Sequence, residues 1–463
     1  LNQDTQNDKG IWSSGNIRQV FEKAGKELCY RYPFAYLKYL LACAMDRERN
    51  YIPRVKLCLD RLEEYCRGSE CRDEMREMVL GEICMVRSRI SFNDIAVMAE
   101  YFGGGCSCIV TKETEFTYGL PCMLMGYVKE PGSVAEVRDA FCTQGMSFAE
   151  STDGCGIGCD SLAASEAALE TGAWEQAELH AYKAYFKAKA AEQLGIMISS
   201  KLVLDRLNLI QGSSRDRILS NSTLKDEVIA ANNPVLNTTF DLCGAYINGC
   251  LGRVDSIPEW IRKGDIEKGN FLFQGTGFFY VVYGKCLLLG KKYIELDSLC
   301  ESFSTFLKPF QYHLIRIYFM IYESVTKSYL ESRPRGEEIL KEALKLAEKD
   351  HLIMPFAENT GHVRLMLEAL LKREENPYIR EVLEACRRYS SQLKLFHACE
   401  VSLTDRELEI LKLLDEGYTH EEIAGEIYIS IATVRYHVKN IYQKMDVNNK
   451  ILALRKAKDL NLI

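Results

Sequence analysis

LTDRELEILKLLDEGYTHEEIAGEIYISIATVRYHVKNIYQKM, residues 403–445, is the stretch around which this 463-residue chain is organised. Thr404 is followed three residues later by Glu407, and Thr419 by Glu422. Each pair spells a capping box: the Thr oxygen accepts an orphan amide of the first helical turn, and the Glu reaches back to the amide of the cap. Gly417, between the two helices, is a natural helix stop. The second helix is short, about Glu421–Ile427, and a tight turn, Tyr428-Ile429-Ser430, follows it. Ser430 is the next N-cap. A longer helix then runs over Ile431–Met445. Two short helices joined by a turn of a few residues spell a helix-turn-helix.

The third helix has two chemically different faces. Val434, Val438, Ile441 and Met445 recur at spacings of four, three and four, which makes one apolar stripe for a core. Arg435, Tyr436, Lys439, Asn440 and Gln443 fall on the other side, with no acid among them. Such a face suits the major groove of duplex DNA, where Arg and Lys read guanine and Asn or Gln read adenine. Charge sorts the same way. Residues 401–430 hold two Lys or Arg against eight acids, whereas residues 431–463 hold seven against two. A duplex-binding surface needs that basic half. On charge alone, a small helical domain with a solvated basic face fits equally well.

The stretch resembles a LuxR-type DNA-binding domain. The residues carrying the resemblance are Leu403, Thr404, Arg406, Glu407, Leu411, Gly417, Glu422, Ile423, Ala424, Ile427, Ser430, Thr433, Val434, His437, Ile441, Lys444, Val447 and Ala453. It implies a small four-helix helix-turn-helix domain of a bacterial regulator. Arg435, Tyr436 and Lys439 then approach base edges, and Ser430, Thr433 and Lys444 lie near phosphates. With Asn440 and Gln443 these make the expected DNA-binding set. The resemblance makes His437 a packing and hydrogen-bonding residue. Three positions depart from the family pattern. Met445 replaces the usual Leu at nearly equal volume. Lys450 keeps the charge of a common Arg without its fork. Tyr436 is bulkier than the residue often found there, which bears on base preference.

Residues 1–400 hold 49 bases and 55 acids, so duplex affinity has to come from the C-terminal basic half. The 18 cysteines are scattered, with none in residues 401–463 and no Cys-x-x-Cys. The nearest pairs, Cys106 with Cys108 and Cys155 with Cys159, have no His cluster beside them. They read as small, reduced, mostly buried residues of a cytoplasmic protein, not as a metal site. The N-terminus is polar and lacks a signal-peptide pattern. The most apolar stretch, Gly277–Gly290, contains Lys285 and is too short to span a bilayer, so no membrane partner is expected.

Helix formers dominate residues 1–400, and no alternating strand pattern is sustained. Breaks fall at Arg67-Gly68-Ser69, Gly103-Gly104-Gly105, Pro131-Gly132-Ser133, Gly154–Gly158, Gly212-Ser213-Ser214 and Asn232-Asn233-Pro234. The most legible helix pair runs over Asp160–Ala188, turning at Thr171-Gly172 and restarting near Trp174. Gly172, Trp174, Ala177 and Ala184 fall at the small and aromatic packing positions of a tetratricopeptide repeat. Weaker units turn at Gly290-Lys291-Lys292-Tyr293 and at Gly336-Glu337-Glu338, the latter expected to precede a helix with Leu340, Ala343, Leu344 and Ala347. Stacked units of this kind make a superhelix with an extended binding surface; the plain alternative is an irregular helical bundle. The stretch 339–347, then Met354-Pro355-Phe356, then the C-terminal domain resembles the end of a MalT-like regulator. That layout implies a nucleotide-binding module first, a helical-repeat sensor next and a LuxR-type domain last.

The first of these modules is not found in the sequence. A P-loop needs Gly-Lys followed by Ser or Thr, but Gly25-Lys26, Gly284-Lys285 and Gly290-Lys291 are followed by Glu27, Cys286 and Lys292. If the parent protein has an ATP-binding module, it lies upstream of Leu1, and no cofactor is expected in this chain. There is no Gly-x-Ser-x-Gly and no His-Glu-x-x-His, so an enzyme is not expected. The aromatic run Phe271–Tyr283 fits a ligand pocket less well than a core stripe.

The sequence therefore predicts an all-α chain. Residues 1–387 form a TPR-like helical-repeat sensor, 388–400 a linker and 401–463 a LuxR-type helix-turn-helix domain. The expected partners are duplex DNA, RNA polymerase, and a small-molecule or protein effector on the repeats. Activation is the expected output. A homodimer on DNA would pair through Leu452 and Leu454 of a last helix over Asn449–Leu460. The competing reading is a helical scaffold with a vestigial helix-turn-helix, but a vestigial domain has no reason to keep seven bases against two acids where DNA should lie.

Overall fold

Apolar residues at helical spacing set the first long helices. The computed structural model describes residues 21, 23, 26–44, 52–68, 73–91, 94–103, 118–151, 154–212, 222–270, 275–307, 311–400, 403–445, 447–460 and 462–463. Every regular element among them is a helix. Helix α1 (Pro33–Ala44) packs against α2 (Ile52–Arg67) and α3 (Asp73–Ile90). Val55, Leu59, Leu62 and Cys66 make the buried edge of α2, and Leu37, Leu40, Val79, Ile83 and Val86 meet them. Arg87 of α3 fastens the outer rim, 2.7 Å from Asp60 and paired with Glu63 of α2.

The described residues form two compact units, one from residues 1–204 with 222–355, the other from 205–221 with 356–463. In the first, α4 (Val134–Ser151) starts at the turn Pro131-Gly132-Ser133. Its start is capped from far along the chain: Gly132 N and Val134 N donate to Asp350 at 2.6 and 2.9 Å. Helices α5 (Cys159–Glu170) and α6 (Trp174–Ala190) follow and pack on each other. Ala177, Ala181, Ala184 and Ala188 make a fully buried small-residue edge on α6, which lets the two backbones approach closely. The turn between them places Gly172 at φ +82°, where a Cβ would meet Ile353 at 3.0 Å and the Trp174 ring at 3.4 Å. Ile353 N donates to Glu170 O at 2.7 Å and ties a later segment to the same turn.

Further along this unit come α7 (Thr276–Leu289), α8 (Tyr293–Leu307), α9 (His313–Leu330) and α10 (Arg333–Ala347). The aromatic run is core where it is described. Phe278 and Phe279 are buried, and Trp260 stacks on Phe279. The Tyr246 and Tyr318 hydroxyls meet at 2.8 Å. Phe271 and Phe273, like Cys106, Cys108, Gly104 and Gly105, lie outside the described residues. Cys155 and Cys159 are buried and lie outside any disulfide, and no group of three metal-ligating side chains occurs among the described residues. No described helix is long and apolar enough to cross a membrane.

One expected break is corrected. Gly336 does not precede a helix; it lies in the first turn of α10, which starts at Arg333 behind the N-cap Ser332. A Cβ there would lie 2.4 Å from Ser324 O and 2.7 Å from Ser328 Cβ. The glycine therefore serves the close contact of α10 with α9 and does not stop a helix.

In the second unit, α11 (Thr360–Arg373) packs against α12 (Pro377–Glu400). Arg206 and Glu358 form a buried pair at 2.8 Å, both about 1% exposed, made bidentate by a second bond at 3.2 Å. Two-point contact of this kind is the geometry in which a buried guanidinium is best satisfied. Residues 388–400 continue α12, so the segment expected to link the domains is helical. Four helices then complete the unit: α13 (Asp405–Asp415), α14 (His420–Glu426), α15 (Ile431–Lys444) and α16 (Lys450–Asp459).

Candidate nucleic-acid interface

The third helix of the C-terminal domain sits where its sequence predicts. Val434, Val438, Ile441 and Met445 are buried with Ile410, Leu411, Leu414, Ile423, Ala424, Ala453 and Ala457. Burying such side chains stabilises by about 1.5–3 kcal/mol each, which holds α15 in one rotation about its axis. Both capping boxes form. Glu407 N donates to Thr404 Oγ1 at 3.2 Å while Thr404 N donates to Glu407 at 2.8 Å. Glu422 N donates to Thr419 Oγ1 at 3.3 Å while Thr419 N donates to Glu422 at 2.7 Å. Gly417 closes α13 at φ +98°. Arg406 donates to Ile427 O, at the C-terminal end of α14, and is 2.6 Å from Glu409.

With the apolar stripe turned inward, the outward side of α15 is fixed. Arg435, Tyr436, Lys439 and Gln443 are exposed, and Asn440 is half-buried. Tyr436 is 62% exposed and meets His437 edge-on, with ring centroids 5.9 Å apart. Ser430 caps the helix through the Thr433 amide at 3.0 Å, and its hydroxyl lies 2.7 Å from that of Thr433. These two hydroxyls stand at the positive end of the helix dipole, a ready place for a phosphate. His437 Nδ1 has no hydrogen-bond partner among the described residues, so only the packing half of its expected role is seen.

The cations of residues 431–463 divide into two groups. Lys444 lies 2.6 Å from Glu407, which is nearly buried, so it locks the end of α15 to the start of α13. Burial works against the Glu407 carboxylate, but Lys444 and Thr404 outweigh it and hold its pKa below the ordinary glutamate value. Lys456 donates to Met445 O at 2.7 Å and caps α15. Lys458 lies 2.6 Å from Asp415. These three hold the domain together. Lys439, Lys450 and Arg455 have no ion-pair partner among the described residues, and Arg435 has only a distant one. The outward charge is therefore carried by four side chains, fewer than the raw count suggests. Of the expected set, α15 brings Arg435, Tyr436, Lys439, Asn440 and Gln443 outward together, with Ser430 and Thr433 at its start. Lys444 stands apart, engaged by Glu407.

Two features here have no counterpart in the sequence reading, a contact of Glu421 and the backbone of Tyr428. Glu421 lies 3.8 Å from Arg435, across from α14 to α15. Tyr428, in the turn between them, sits at φ +53° and is 93% exposed. Neither carries a local signal: Glu421 looks like any acid in a first helical turn, and left-handed turns usually show Gly or Asn. On α16, Ile451 and Leu452 are exposed, whereas Leu454 is partly buried against the domain core. Of the two residues expected to meet a second copy, Leu452 is therefore exposed and Leu454 only partly so, and Ile451 stands exposed beside Leu452.

Comparison with known proteins supports this arrangement. Residues 401–457 match the family described as bacterial regulatory proteins, luxR family. Over 66 residues the chain is 47% identical to the transcriptional regulatory protein LiaR of Bacillus subtilis (strain 168). That similarity spans 14% of this chain and 30% of the relative's length. Residues 401–457 are thus a LuxR-type helix-turn-helix domain.

Proposed function

We propose that this chain is a transcriptional regulator. Its C-terminal domain binds duplex DNA with α15 in the major groove. The carrying observation is the outward face of that helix, where Arg435, Tyr436, Lys439 and Gln443 stand exposed with no acid on the helix itself. Arg435, Tyr436 and Lys439 read base edges, with Asn440 and Gln443 as further donors, and Ser430 and Thr433 receive a phosphate. The likeness to a relative named a transcriptional regulatory protein supports regulation as the output. On this reading the helical residues before α13 carry the control, as a TPR-like sensor for a small-molecule or protein effector. Activation through RNA polymerase is the output, and Ile451 and Leu452 supply the contact between two copies on adjacent half-sites.

The test is a selection of the full chain against random-sequence duplexes, followed by binding to the selected site across a salt series. Affinity should fall steeply as salt rises, because phosphate contacts release counterions. Lys439→Ala should weaken the selected site by about 1–3 kcal/mol, the value of a base contact. Absence of salt-sensitive binding to any duplex defeats the proposal.

A further inference from the structure

Glu421 is in the first turn of α14, and its carboxylate lies 3.8 Å from the Arg435 guanidinium. Both side chains are more than half exposed, at 61% and 66%. The neighbouring Glu422 is committed to its capping box, accepting from the Thr419 amide and hydroxyl at 2.7 and 2.9 Å. Glu421 takes no part in that box. A separation of 3.8 Å exceeds hydrogen-bond distance, so Glu421 does not fix the guanidinium in one orientation. What remains is its charge, placed beside a cation that the proposed function assigns to base reading.

We propose that Glu421 is a selectivity-determining residue that acts through Arg435. The proposal rests on the DNA-binding reading above. In the free protein the carboxylate draws on the Arg435 charge. Near any duplex that attraction withholds part of the Arg435 charge from phosphates, which lie within a Debye length of the surface. At the correct site Arg435 exchanges Glu421 for a guanine edge and recovers the loss. At a wrong sequence it has no such partner, so its charge stays engaged by Glu421 and is withheld from phosphates. Glu421 therefore lowers non-specific binding more than specific binding, which widens the ratio between them.

A plain structural role makes a different prediction. An acid in the first turn steadies a helix through its dipole, so its removal would lower thermal stability and leave duplex binding unchanged. The experiment measures binding of the full chain, wild type and Glu421→Gln, to the selected duplex and to a scrambled one. The same measurements are repeated in the Arg435→Ala background. Glu421→Gln should tighten the scrambled duplex by about two- to fivefold, the scale of one exposed charge interaction, and the selected duplex by less. With Arg435→Ala present, the gain should fall below about twofold. Unchanged or weaker binding by Glu421→Gln overturns the proposal, and so does a gain that survives Arg435→Ala. Failure of the DNA reading looks different: wild type and variants alike bind no duplex.

Discussion

The C-terminal domain writes the same four-residue device twice, and the two copies differ in energy. Thr404 with Glu407 opens α13, and Thr419 with Glu422 opens α14; the reciprocal bonds are nearly equal in length. Glu407, however, is 3% exposed and holds Lys444 at 2.6 Å. Glu422 is exposed, and both of its bonds go to Thr419. The motif settles local geometry in both places. Burial and a third partner decide how much the fold depends on it.

Breaking each box in turn should separate the two most clearly. Glu407→Ala removes a cap and leaves Lys444, itself partly exposed, without its carboxylate. A loss of about 2–3 kcal/mol is expected, between an ordinary cap and a fully buried pair. Glu422→Ala, at an exposed site with no third partner, should cost clearly less. Chemical denaturation of the two variants measures the gap, and equal losses would show that Lys444 adds nothing. Glu407→Ala also frees a cation, so duplex binding by the folded fraction should hold while stability drops.

The helix ends show the converse, with unlike sequences sharing one geometry. Gly417 closes α13 at φ +98°, and Tyr418 N donates back to Leu413 O at 3.1 Å. Tyr428 follows α14 at φ +53°, and Ile429 N donates to Ala424 O at 3.1 Å, across the same span. A side chain in the left-handed region costs about 1 kcal/mol relative to Gly. Gly417→Ala should therefore destabilise by about 1 kcal/mol. Tyr428→Gly should stabilise by about 0.5 kcal/mol, since Gly also gives more freedom to the unfolded chain. Thermal unfolding of the two variants should shift in opposite directions. If Tyr428→Gly lowers the midpoint, the tyrosine is held by contacts beyond its own turn.

The sequence shows what is local and hides what is distant. Both capping boxes, the stripe Val434–Val438–Ile441–Met445 and the pair α5–α6 were legible because every determinant lies within a few residues of its partner. The resemblance puts Lys444 near phosphates, and its bond to Glu407, 37 residues away, is not legible from the residues around it. Asp350, which caps α4 across 218 residues, left no trace in the pattern around Gly132. Gly336 read as a stop because a glycine needed for close helix packing looks the same as one needed for a turn. Charge counting pointed to the half of the domain that holds α15 but overstated its outward charge, since Lys444, Lys456 and Lys458 turn to groups of the domain itself.

The smallest expected effect concerns protons, and it returns to Glu407. Its folded pKa lies below the ordinary glutamate value of 4.5 because Lys444 and Thr404 outweigh the cost of burial. A carboxylate whose pKa is depressed by folding stabilises the fold at pH above its unfolded value. That contribution is lost as pH falls through the unfolded value toward the folded one. Wild type should exceed Glu407→Gln in stability by a constant margin near neutrality, and the margin should shrink as pH drops below about 4.5. Glu422→Gln, at an exposed site where the Thr419 amide and then its hydroxyl lower the pKa, should show a shallower dependence in the same window. Parallel acid titrations of thermal midpoints compare the two boxes directly. Identical profiles would mean that burial and the Lys444 partner add nothing to the proton affinity already set by the box.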